Sequence, residues 1–241
     1  MGCYQNDSVA GTVLDRKKKD GAAMSAVGIN GRWMRMLVGL AVCGCLMTGC
    51  EDSSSSSSGA SKFGDNNPNV VAALGDSVTA GSEISGPSFP QIVAEMSGKT
   101  VINEAFGGAL SSDGLAQIGE LLARVKPGYI FILYGINDII HIGNDDWTID
   151  NLKQMIQIAK QNKTNPIVGT IPPRYSGSGT FNPLHQELNR RIRILCKAEG
   201  ARVADVEREF GDDVTLMQAD GFHPNENGNL IIATVFYEAL R

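Results

Sequence analysis

The chain has 241 residues, 42% hydrophobic and 20% charged, a balance that allows a domain with a proper core and excludes a disordered or collagen-like chain. Its net charge is −5, and beyond Cys50 it reaches −8 with the basic residues scattered, which argues against a nucleic-acid partner. Four of the five cysteines lie in the first fifty residues, so Cys196, left alone in the rest, can form neither an internal disulfide nor a cysteine metal cluster.

In chain order, the first feature is the uncharged apolar run Leu37–Met47, preceded by Arg32 and Arg35. It is too short to span a bilayer, which takes about 20 residues, but it suits the apolar region of a signal peptide. Leu46-Met47-Thr48-Gly49-Cys50 resembles a bacterial lipobox, in which the Cys is lipidated and becomes the mature N-terminus. The resemblance implies lipidation at Cys50, a lipid anchor in a membrane, and a place in the bacterial cell envelope. A secretory signal cut elsewhere, or an uncleaved anchor, is the rival reading. Residues 1–50 are thus read as a leader, and a start at Met34 (or Met24 or Met36) would make it compact. Residues 51–68, with six serines from Ser53 to Ser58, cannot bury a core and read as a flexible tether. Residues 69–241 are left as the folded domain.

Within it, strand-like runs at Val70–Leu74, Thr100–Asn103, Tyr129–Tyr134, Pro166–Thr170 and Arg202–Val206 alternate with helical segments. Leu152, Met155, Ile156 and Ala159 share one helical face behind a Thr148 cap. Asn182-Pro183 opens a second helix carrying Leu184, Leu188, Ile192 and Leu195, closed by Gly200, and Cys196 falls on its apolar face as core. A last helix places Ile231, Ile232, Val235, Phe236, Ala239 and Leu240 on one stripe. Such alternation predicts a three-layer doubly wound α/β domain around a central five-stranded parallel sheet.

Polar residues collect at the strand ends: Gly75-Asp76-Ser77, Phe106-Gly107-Gly108, Gly135-Ile136-Asn137-Asp138 and, before the last helix, Asp220-Gly221-Phe222-His223-Pro224. Each alone reads as a turn. Together they supply what acyl transfer needs: a hydroxyl, a base, an orienting carboxylate and donors for a negative oxygen. Asp220 and His223 are three apart in a tight segment, so the carboxylate can reach the imidazole locally. Of the other two histidines, His141 reads as near-core and His185 as solvent-facing.

In this order the blocks resemble the SGNH hydrolases, also called the GDSL esterase/lipase family, with Val78 in place of the eponymous Leu. The resemblance implies a flavodoxin-like fold, Ser77 as nucleophile and Asp220 and His223 completing a triad. It also implies an oxyanion hole made of the Ser77 and Gly108 amides and the Asn137 side chain, and neither metal nor cofactor. Gly107 remains an alternative to Gly108. Gly75 to Gly81 resembles the thioesterase, lysophospholipase and arylesterase branch, so the expected substrate is a small acyl ester, thioester or lysophospholipid, acted on by a monomer. A carbohydrate O-acetyl esterase is the alternative, and a non-catalytic binding lipoprotein the third reading. Thr79, where a second Gly would stand, excludes the Gly-x-Ser-x-Gly turn of α/β-hydrolases. Residues 172–183, rich in Gly and Pro, are expected to form a mobile wall of the cleft.

Overall fold

The computed structural model describes residues 62–82, 84, 86–175 and 184–241, the side chain of Leu184 excepted. The expected leader, Cys50, the tether up to residue 61, the Asn182-Pro183 helix start and most of the expected cleft wall lie outside the described residues.

Five strands form the sheet, β1 (Asn67–Gly75), β2 (Thr100–Asn103), β3 (Pro127–Leu133), β4 (Asn165–Gly169) and β5 (Arg202–Ala204), and the inner three are the apolar runs, largely buried, that parallel sheets favour. All pairs are parallel and the order is β2-β1-β3-β4-β5, the flavodoxin-like arrangement. Central β3 is buried along its whole length. The chain packs ahead of the expected Asn69 boundary, since β1 begins at Asn67 and Phe63 meets the Tyr129 ring edge-on at 5.4 Å.

The helices are α1 (Ser77–Ala80), α2 (Phe89–Ser97), α3 (Ser111–Val125), α4 (Ile136–His141), α5 (Asp145–Gln161), α6 (Leu184–Glu199), α7 (Val206–Phe210) and α8 (Glu226–Leu240). Helices α3, α5 and α6 cover one face of the sheet, and α2 pairs with α8 on the other. Phe236 of α8 ties that second layer to the sheet, its ring lying 4.8 Å from both Phe89 of α2 and Phe131 of β3. Truncating so central a ring would cost about 3–5 kcal/mol.

The expected stripes are in place. Leu152, Met155, Ile156 and Ala159 are buried on α5, and Leu188, Ile192, Leu195 and Cys196 on α6. Four local expectations are corrected. The α5 cap is Asn144, whose side chain accepts from Asp146 N–H, while Thr148 lies inside the helix and is fully buried. Val206 opens α7 rather than ending β5. His185 is buried, not solvent-facing, and burial lowers its pKa to about 4. His141, read as near-core, is exposed at the end of α4.

Two glycines of α3 make opposite predictions. A glycine inside a helix ordinarily costs up to about 1 kcal/mol relative to alanine. At Gly119 the space is open, so Gly119→Ala is expected to stabilise by roughly 0.5–1 kcal/mol. At Gly114 an added Cβ would sit 2.5 Å from the buried Tyr134 ring, so Gly114→Ala is expected to destabilise by about 1–3 kcal/mol. Urea unfolding of both variants checks the pair. Equal shifts in one direction would contradict the packing.

Candidate active site

Ser77 is the first residue of α1, directly after β1 reaches the edge of the sheet. The turn is tight because Gly75 has no side chain: a Cβ there would collide with Thr79 Oγ1 and lie 2.8 Å from Leu133 O. Asp76 caps the short helix, accepting from Val78 N–H at 3.0 Å, which fixes the Ser77 side chain at the surface of the cleft.

The loop before α8 delivers the other two groups. Gln218 N–H donates to His223 O (2.8 Å), and Asn225 Nδ2 donates to the carbonyls of Thr215 and Met217, so the loop is closed at its base. Asp220 divides its carboxylate between two tasks. Oδ1 accepts from the N–H groups of Phe222 (2.8 Å) and His223 (3.0 Å), which shapes the loop. Oδ2 lies 2.7 Å from His223 Nδ1. With the proton on Nδ1 donated to Asp220, Nε2 is left as an acceptor, and Ser77 Oγ stands 3.0 Å from it. Ser77, His223 and Asp220, 146 residues apart at the extremes of the first pair, are therefore one hydrogen-bonded chain. Burial works against ionisation of Asp220, but the His223 ring and the two backbone donors outweigh it and hold its pKa below the ordinary carboxylate range.

The other strand ends meet this chain. Gly107 and Gly108 form the middle of a turn closed by Ala109 N–H on Phe106 O (3.3 Å). Gly108, at φ +76°, takes the left-handed conformation that a type II turn needs at its third position. Gly107 passes so close that its Cβ, if present, would lie 4.0 Å from Ser77 Cβ. Among the described residues neither glycine N–H donates to a protein acceptor. Asn137, buried at the start of α4, gives one amide proton to Ala109 O (3.0 Å). An amide has two such protons, and the second is free for a ligand. A cavity of about 10 Å³, room for one water, lies between Ser77, His223 and the start of α8.

Two buried carboxylates beneath the site were not singled out in the sequence. Asp138 accepts from Ser111 N–H (3.1 Å) and Ser111 Oγ–H, and Asn151 Nδ2 donates to that same Oγ (2.9 Å), so α3, α4 and α5 are bound together behind Asn137. Its partners are distant in sequence, so no local pattern announced them. Burial pushes the Asp76 carboxyl up to about 7, helped by the charge of Asp138 and opposed by Val78 N–H and His223. Its signal was the position itself, a carboxylate closing a fully apolar strand.

Comparison with known proteins defines the class: this is a hydrolase of carboxylic esters. The family model described as GDSL-like Lipase/Acylhydrolase matches residues 73–231. The chain belongs to that family. It is 33% identical over 170 residues to the arylesterase of Vibrio mimicus, covering 66% of this chain and 82% of that one. It is 26% identical over 171 residues to thioesterase 1/protease 1/lysophospholipase L1 of Escherichia coli K12, covering 66% and 77%. The uncharacterized lipoprotein YqeF of Bacillus subtilis is 26% identical over 123 residues, 45% of this chain and 51% of that one. The crystal structure of the lipase/acylhydrolase from Enterococcus faecalis superposes with a TM-score of 0.62 at 25% identity, covering 70% and 93%.

Asp76 generates a pH prediction. Between about pH 4 and 7 the folded chain holds a proton that the unfolded chain has released, so this group subtracts stability as pH rises, in full above 7. Asp76→Asn keeps an acceptor for Val78 N–H and removes the charge. It is expected to stabilise the fold at pH 8 by on the order of 2–4 kcal/mol, with the gain shrinking towards pH 4. Denaturant unfolding at both pH values measures this. A difference that is the same at both would contradict a raised pKa.

Proposed function

We propose that the protein is a serine esterase acting on small acyl esters or thioesters through a covalent acyl-enzyme. The observation that carries this is the hydrogen-bonded chain Ser77 Oγ, His223 Nε2 and Nδ1, Asp220 Oδ2, at 3.0 and 2.7 Å. Ser77 Oγ attacks the acyl carbonyl carbon while its proton passes to His223 Nε2. Asp220, already ionised, steadies the imidazolium that forms. The carbonyl oxygen, now negative, is received by the N–H groups of Ser77 and Gly108 and the second amide proton of Asn137. Collapse of the intermediate expels the alcohol or thiol, which takes the proton from His223, and leaves the acyl group on Ser77. Water then attacks with His223 again as base, releasing the carboxylic acid and restoring the hydroxyl. Phe106, exposed next to the glycine turn, offers apolar surface for the acyl group.

Among the described residues no helix is long and apolar enough to cross a membrane. We place the domain at the bacterial envelope, tethered through lipidated Cys50. Phe63, among the first described residues, packs on Tyr129 near the start of β3, whereas Ser77 follows the far end of β1. Cys50→Ala is expected to shift the protein from the membrane fraction to the soluble fraction. An unchanged partition would contradict the anchor.

The oxyanion role gives the sharper test of the chemistry. Asn137→Ala is expected to lower kcat by about 10²–10³-fold with a much smaller change in KM, because its donor matters once the oxygen is charged. Steady-state kinetics normalised to titrated active sites reads this directly. An unchanged kcat per site would leave Asn137 a turn residue.

A further inference from the structure

The strand β4 is followed by a segment that binds the His223 loop from outside: Tyr175 N–H donates to Gly221 O at 2.9 Å. The residue before it, Arg174, is half-buried, and its guanidinium lies 5.3 Å over the ring of Phe222. Phe222 meets the His223 imidazole edge-on at 4.6 Å. A single aromatic ring thus meets both a permanent positive charge and the base proposed above. Arg124, Arg190, Arg191, Arg193 and Arg208 are each paired with a carboxylate, and Arg202 with carbonyls at the end of α8. Among the described residues Arg174 has neither an ion-pair nor a hydrogen-bond partner. Asp220, the carboxylate of the same loop, is committed to Phe222, His223 and the imidazole.

We infer that Arg174 recognises an anionic group, phosphate or carboxylate, carried by the ester substrate close to its scissile carbonyl. The inference rests on the esterase reading and narrows its substrate class. Phe222 lies against the guanidinium, whose N–H groups have no hydrogen-bond partner among the described residues. Five donors in a planar fork match the oxygens of a phosphate or carboxylate in a way that an ammonium does not. The chain beyond Cys50 carries a net charge of −8, so its general field repels anions. The Arg174 cation, which shares the Phe222 ring with His223, offsets that repulsion where an anionic ester has to dock.

Two matched substrate pairs test this and locate the anion. In the first, 1-butyrylglycerol is compared with 1-butyrylglycerol 3-phosphate, which adds charge on the alcohol side. In the second, p-nitrophenyl butyrate is compared with p-nitrophenyl succinate monoester, which adds it on the acyl side. Arg174→Ala is expected to lower kcat/KM for the anionic member of one pair by roughly tenfold or more, chiefly through KM. It should leave both neutral esters within about twofold, which also shows that the variant is folded, while Arg174→Lys should retain part of the preference. Equal effects on charged and neutral members of both pairs would overturn the inference. Failure of the unaltered protein to turn over any of the four esters would instead contradict the esterase reading, and the inference with it.

Discussion

The pairing of β1 with β3 in the register Gly75 to Leu133 ends two neighbouring strands at one level of the sheet, and the cleft is built on that alignment. One strand then turns into α1 with Ser77 at its head, and the other into α4 with Asn137 in its first turn. Because β2 lies on the far side of β1, the glycine turn after β2 closes the third side of the same space. The α8 loop, entering from the other layer, needs to contribute only the imidazole and its carboxylate. A one-residue slip between β1 and β3 would exchange the faces of the sheet that their side chains occupy and separate these groups. The register is held by apolar side chains with almost no exposure, so the geometry of the cleft is a consequence of core packing.

Electrostatics is arranged in the opposite sense to stability. Asp76 is the cap of the helix that presents Ser77, and capping alone would favour it. Its burial above Asp138 raises its pKa to about 7, so near neutrality the fold carries a group that folding makes harder to ionise. Asp220 shows the reverse: its hydrogen bonds keep it charged, and that charge is fully present in the neutral range. One carboxylate is thus held as an anion beside His223, and the other, buried beneath the site, is harder to ionise than a free carboxylate.

How much of this could be read from the chain depended on the range of the signal. All five strands were legible because each is a short apolar run between turn residues, and β3 is buried on both sides. The Asp220–His223 contact was legible because both partners sit in one short loop. His185 reads as solvent-facing from its place in a first turn, although it stands three and seven residues before Leu188 and Ile192 and so shares their buried face. Thr148 reads as a cap because Thr often caps helices. Asn144, followed by two acidic residues, was the stronger signal, and Thr148 falls on the stripe of Leu152, Met155 and Ala159. The Ser111–Asp138–Asn151 cluster could not have been found, because its members lie 27 and 40 residues apart and meet only when α3, α4 and α5 pack.

The central claim is that a single serine, at the end of β1, becomes covalently acylated. A fluorophosphonate ester mimics an acyl group and remains on the nucleophile that attacks it, so reaction followed by peptide mass mapping identifies that atom. The account predicts one adduct per chain, on Ser77, with loss of esterase activity in the same proportion and much slower labelling in His223→Ala. An adduct on a different residue, or full esterase activity retained by a protein labelled at Ser77, would contradict it.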